Sequence, residues 1–268
     1  MKNRYLPGQA QNRSAAFFRL PFASQYPTGE DFPGQEHIPL EILDCTQGIL
    51  LKDYLEVPKK PEYGRGKGYN PCLDCKLFMF RHLGKFAITH GYEAIATGEV
   101  PGQRPMSQTG KKMKILEEQA PLPLIRPLAN LGIKGRGRKI QIQLARQYQI
   151  DYPLPAGGCL LCEKELKQRF ETLTENNLIQ EDTLSLATLG RHFFNSQDQQ
   201  WFVVGRDKSE NDVIEQHPSA ILSGKGKPAV YYQSLSQSNK ARYEAQKLQQ
   251  AYQQKDVAAT QLYSCWKL

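Results

Sequence analysis

The sequence predicts an α/β domain carrying a mainly parallel sheet, followed by a small α+β domain. Two observations predict it. Over the first two thirds of the 268 residues, short apolar runs alternate with stretches of helical periodicity, the pattern of strands joined by crossover helices. After residue 180 the texture changes to closely spaced short runs that suit antiparallel strands, closed by a polar, Gln-rich helix.

Residues 1–36 are rich in Gly, Pro, Gln and Ser and read as irregular, except for an apolar run over 15–22 that suits a strand. A second strand is expected over 38–43 and a short amphipathic helix over 46–55. The Pro/Gly-rich stretch 57–71 reads as a basic loop exposing Lys59, Lys60, Arg65 and Lys67. Leu77, Phe78, Phe80, Leu83 and Ile88 recur at helical spacing and predict a helix over 75–91. A strand over 94–96 runs into the turn Thr97-Gly98-Glu99; another strand is expected over 122–128 and a helix over 136–148. Strands are then expected over 186–189, 190–194, 201–204 and 229–232, and a helix over 238–254. The predicted domains are therefore 1–180 and 181–268, without internal repeats.

No run approaches the length of a membrane span, and the first ten residues lack the apolar core of a secretory signal. Six cysteines in such a chain suit a reducing cytoplasm, where closely spaced pairs point to metal or sulfur chemistry rather than to disulfides. The net charge of +8 is concentrated. Residues 101–150 hold ten Lys/Arg and two acidic residues, so this stretch alone carries the chain's whole excess. Clustered cations suit a polyphosphate partner or a solvated basic face. Basic residues at the start of the 136–148 helix oppose its dipole and suggest an end that faces an anion.

The most specific chemical signal is Pro71-Cys72-Leu73-Asp74-Cys75 followed by Gly157-Gly158-Cys159-Leu160-Leu161-Cys162. A C-x-x-C at a helix start lets both sulfurs face one ion, and the helix N-terminus favours thiolate. The paired glycines suggest a close approach of the second segment. With 83 residues between the pairs, Cys72, Cys75, Cys159 and Cys162 could form a four-cysteine zinc site. Three of them could instead hold a [4Fe–4S] cluster with one iron open. Cys45 and Cys265 have no partner at short spacing and read as ordinary thiols, as isolated histidines such as His90 and His192 read as structural.

These residues carry a resemblance. Asn70-Pro71-Cys72-Leu73-Asp74-Cys75-Lys76 is similar to a segment of PP-loop tRNA thiolation proteins. The string from Ala96 through Thr97, Gly98, Glu99, Gly102, Gln103, Arg104, Ser107 and Gln108 resembles the T-G-E-x-x-G-Q-x-x-S-Q signature of 4-thiouridine synthases, with one extra residue before Ser107. Arg126-Pro127-Leu128, Gly135-Arg136-Gly137-Arg138-Lys139 and Pro155-Ala156-Gly157-Gly158-Cys159 continue it in order, so that the likeness covers about residues 17–170. Gly190-Arg191-His192-Phe193, Val204-Gly205-Arg206 and Glu210-Asn211-Asp212 resemble, more loosely, the RNA-binding module of NFACT-type proteins.

The resemblance implies an incomplete doubly wound parallel sheet of the HUP/PP-loop type. It implies an enzyme that activates a uridine carbonyl oxygen with ATP and replaces it with sulfur. Cys72, Cys75 and Cys159 would hold a [4Fe–4S] cluster and act catalytically, with Cys162 as fourth ligand, sulfur carrier or neither. Thr97, Gly98, Glu99, Gln103, Ser107 and Gln108 would line the nucleotide pocket; Arg104, Arg136, Arg138 and Lys139 would contact RNA. The family's S-G-G-x-D-S loop is not found in this sequence. The partners the resemblance implies are tRNA and a sulfur donor, and an incomplete sheet would leave an edge for a second polypeptide or copy to cover. A zinc-bearing, non-catalytic RNA-binding protein and a cluster-dependent thiouridine desulfurase are the competing readings.

Overall fold

The structure, a computed structural model, describes residues 13–23, 38–103, 106–150, 158–234, 238–254 and 257–268. It is a mixed α/β chain of two compact units, Met1–Cys162 and Glu163–Leu268. The division falls earlier than the texture change near residue 180. Arg169, on a helix upstream of that point, interacts electrostatically with His192 and Arg206 of the second unit.

In the first unit, β1 (Ala15–Arg19) pairs in parallel with β2 (Leu40–Asp44), and Arg19 closes the end of the ladder on Asp44 at 3.0 Å. Helix α1 (Gly48–Lys59) begins after an Asp44 turn and outlasts its expected end by four residues. The Arg65 guanidinium donates to the Pro58 and Lys59 carbonyls at 2.7 and 3.1 Å, placing a cation on the helix C-terminus. Helix α2 (Cys72–Thr89) buries Leu73, Leu77 and Phe80 against Leu116 of α3 (Gly110–Gln119).

Strand β3 (Ile95–Ala96) pairs in parallel with β4 (Leu124–Ile125). The strand expected over 122–128 is thus only two residues long. Pro121, Pro123 and Pro127 bracket it, and proline cannot donate to a ladder; Pro127 instead opens α4 (Pro127–Asn130). Among the described residues the two parallel ladders are separate sheets rather than one doubly wound sheet. Helix α5 (Lys139–Gln147) follows.

The second unit opens with α6 (Lys167–Glu175). Its sheet holds β5 (Arg191–Asn195), β6 (Gln200–Val204), β7 (Ala220–Ile221) and β8 (Val230–Ser234), antiparallel in the order β5-β6-β8-β7. Helix α7 (Lys208–Ile214) joins β6 to β7. Of the strand expected over 186–189, residues 186–188 lie in a 3-10 turn, Leu184–Thr188, and Leu189 is extended beyond it: the Thr183 carbonyl accepts the Leu186 N–H, and the Thr183 hydroxyl gathers the chain by donating to the Leu178 carbonyl. Helix α8 (Ser238–Gln254) lays Ala241, Ala245, Leu248 and Ala251 on Phe193, Phe202, Val204 and Val230. The small alanines suit a close helix-to-sheet approach. Short α9 (Val257–Gln261) follows. Among the described residues, no helix is long and apolar enough to cross a membrane.

Candidate functional site

The two cysteine pairs, far apart in sequence, are drawn together by backbone hydrogen bonds. Cys72 opens α2 and Cys75 lies one turn on, so their side chains share a face. Cys159 and Cys162 bracket a 3-10 turn closed by the Cys162 N–H on the Cys159 carbonyl at 2.9 Å. That turn is held from two sides. Leu160 N–H donates to the Phe22 carbonyl at 2.8 Å and Cys159 bridges Ala23; Tyr69 N–H donates to the Leu161 carbonyl at 2.8 Å. The close approach expected at the glycines before Cys159 occurs elsewhere. Gly158 faces open space, and Gly157 lies outside the described residues. It is Gly68 that sits against the other segment: a Cβ there would stand 2.4 Å from the Leu161 carbonyl oxygen.

All six cysteines are thiols. Cys162 is hydrogen-bonded to both Cys72 and Cys159, and Cys75 interacts electrostatically with Cys72 and Cys159. Burial pushes Cys75 up to about 12 and raises Cys72. The bond from Cys162, then burial, raise Cys159. Hydrogen bonds act the other way: Asn70 Nδ2 lies 3.1 Å from Cys72 Sγ, and Tyr54 Oη 3.7 Å from Cys75 Sγ. Lys112 also favours charge on Cys72. Buried Cys45 stands near Cys75 and is pushed to about 12 by burial, which makes it a poor nucleophile. Exposed Cys265 belongs to the second unit.

Thiols alone, without imidazole or carboxylate among them, make a donor set suited to zinc or iron–sulfur rather than to hard cations. Their interactions are pairwise. Among the described residues no group of three His, Cys, Asp or Glu side chains already stands in position to hold a metal ion. The donor chemistry fits a thiolate-bound metal, and loading would require the sulfurs to draw inward.

The Thr97–Gln108 string is organised around a buried carboxylate. Glu99, 6% exposed, pairs with Lys76 of α2 and with Arg126 Nε at 3.0 Å. Arg126 also donates to the Met113 carbonyl, and Thr97 Oγ1 donates to Glu99. Burial opposes the Glu99 charge, but Lys76 and Arg126 outweigh it and hold the carboxyl below its usual range. The Gln108 side-chain oxygen accepts the Val100 N–H at 2.6 Å, and Gln103 Nε2 donates to the Gly137 carbonyl at 3.3 Å. Ser107 Oγ is buried without a hydrogen-bond partner among the described residues, and Gly98 faces open space. Most of the string's polar groups are thus taken up by partners within the first unit, several of them outside the string.

Arg136, Arg138 and Lys139 are exposed and, with Lys134, make no ion pair among the described residues; Arg104 lies outside them. Helix α5, which these cations introduce, buries none of its residues fully and exposes Ile140. In the second unit, Arg191, Arg206, Lys208 and Lys227 line a cavity of about 670 Å³, where Arg191 lies 5.3 Å from the Tyr252 ring centre. His192 there is structural: Trp201 Nε1–H donates to its Nδ1 at 3.2 Å, and its Nε2–H donates to the Leu189 carbonyl at 2.7 Å.

Sequence reasoning gave no role to Tyr54, Asn70, Gly68, Lys76 or Arg126. Asn70, Lys76 and Arg126 stood inside the motif strings, whereas nothing in the sequence marks Tyr54. No family model, curated protein or solved structure matches the chain.

Proposed function

We propose that this chain serves in sulfur insertion into a tRNA uridine, with Cys72, Cys75 and Cys159 holding a [4Fe–4S] cluster. The observation that carries the reading is the meeting of four thiols from two distant segments, linked through Cys162 and backed by Phe22, Tyr54 and Leu161. When bound, such a cluster supplies an open iron able to carry the incoming sulfur. The chain's own residues do the rest. The buried wall excludes water from one side of the thiols, and Lys112 favours negative charge at Cys72.

Arg136, Arg138 and Lys139 hold RNA phosphates, giving affinity without sequence information. The cationic cavity of the second unit offers phosphates a further set of contacts of its own. The parallel pairing within β1–β2 and within β3–β4, though in separate ladders, is what supports an incomplete doubly wound sheet, whose edge a second polypeptide or copy covers. Thr97, Gly98, Glu99, Gln103, Ser107 and Gln108 border the nucleotide, with Glu99 setting the shape of the turn rather than touching ATP. The setting is the reducing cytoplasm.

A second reading has one observation in its favour. The contacts of Cys162 with both Cys72 and Cys159 suit a four-thiolate zinc that fastens an RNA-binding protein without catalysis. Mass spectrometry of tRNA nucleosides from cells lacking the protein tests the main proposal. Loss of one thiouridine is expected; an unchanged thiouridine profile contradicts it.

A further inference from the structure

Three of the thiols each share a hydrogen bond with a different part of the first unit. Cys159 takes one from the Leu161 backbone. Cys72 faces the Asn70 amide at 3.1 Å, and Cys75 faces the Tyr54 hydroxyl at 3.7 Å.

The Asn70 contact has a fixed direction. Its Oδ1 accepts the Gly68 N–H at 3.2 Å, which leaves the NH2 edge turned toward Cys72 Sγ. The side chain lies over Gly66, where a Cβ would stand 2.5 Å from Nδ2, and Gly66 N–H donates to the Asn70 carbonyl at 2.8 Å. The loop therefore encloses the amide and orients it. Tyr54 is 1% exposed and set by ring contacts with Phe22 and Phe78, 6.4 and 5.4 Å between centroids. A protonated thiol can donate to a hydroxyl, but a thiolate can only accept. Once Cys75 is metal-bound, Tyr54 must be the donor.

We propose that Asn70 and Tyr54 are positioning residues of the sulfur site, donating hydrogen bonds to the Cys72 and Cys75 thiolates and thereby orienting them and stabilising their charge when a metal is bound. This rests on the reading that these thiols hold a metal. Donors around metal ligands fix ligand orientation, and their loss commonly weakens metal affinity about 10- to 100-fold. Donors to cluster sulfurs also raise the reduction potential by favouring the more negative state.

The test is cobalt(II) titration of the wild type, Tyr54→Phe and Asn70→Asp, followed by thiolate-to-metal charge-transfer absorption. Tyr54→Phe keeps the ring packing, and Asn70→Asp keeps the acceptor for Gly68, so a purely structural role would survive both. We expect each variant to bind cobalt about 10-fold more weakly with a shifted charge-transfer band, while the metal-free proteins melt as the wild type does. Wild-type affinity and spectrum in Tyr54→Phe overturn the donor role even if Asn70→Asp fails to fold. A wild-type protein that shows no thiolate–cobalt absorption overturns the metal reading itself, and this inference with it.

Discussion

Replacing Gly68 with alanine addresses how the two cysteine segments are held together. Its Cβ would stand 2.4 Å from the Leu161 carbonyl oxygen, a full ångström inside the 3.4 Å at which ordinary contact begins, and 2.9 Å from the Cys162 carbonyl carbon. Both obstacles are backbone, so no side chain can swing away. The segments must part by about an ångström, which breaks the 2.8 Å Tyr69 N–H to Leu161 bond and carries Cys159 and Cys162 away from α2. Overpacking of this kind costs about 1–3 kcal/mol. Metal–ligand distances tolerate only about 0.2 Å, so metal affinity should fall more steeply than stability. Gly158→Ala is the matched control, because its Cβ meets nothing within 4 Å although it adjoins Cys159. Urea unfolding without metal should show the stability loss for Gly68→Ala alone, and zinc competition against a chelator should show at least a 10-fold weaker site. Wild-type metal affinity in Gly68→Ala would mean that the Gly68–Leu161 contact does not set the cysteine geometry.

Glu99→Gln should destabilise the first unit by about 3 kcal/mol in denaturant melts, because it leaves Lys76 unpaired and Arg126 with only the exposed Glu117 carboxylate, in a largely buried setting. Glu99's folded pKa is depressed, so its contribution should be complete above its ordinary 4.5 and lost as pH falls through the folded value; a melt insensitive to pH below 4.5 in both wild type and variant would contradict this. Burial pushes His192 down to about 3, so the folded state resists a proton that the unfolded chain accepts near 6.5. The second unit should therefore lose roughly 1 kcal/mol per pH unit as pH falls below 6.5, a slope that His192→Gln should remove in melts across that range. Removing Arg136 or Arg138 should weaken tRNA binding alike for unrelated tRNAs and lower the salt dependence by about one released counterion each, measured by filter binding across a salt series.

Local signals made part of this legible in the sequence. The polar helix is found over the expected 238–254, and α2 carries the apolar residues that announced it. What failed depended on local proline chemistry or turn bonding. Residues 122–128 look like a strand until the missing donors of Pro123 and Pro127 are weighed, and the apolar run at 186–189 folds into a turn through Thr183. The cysteine spacing marked the thiols, but their hydrogen-bond donors are set by tertiary packing: Tyr54 meets Cys75 across 21 positions and carries no motif. The role of Glu99 was equally hidden, since Lys76 and Arg126 reach it from 23 and 27 positions away.

On the proposed function, Cys72, Cys75 and Cys159 together hold an iron–sulfur cluster. Protein purified without oxygen, assayed for iron, sulfide and zinc alongside its visible spectrum, tests it most directly. The protein should be brown, with broad visible absorption and about four irons per chain, a colour that Cys159→Ala abolishes and Cys265→Ala retains. A colourless chain holding one zinc, and taking up no iron on reconstitution, would contradict it.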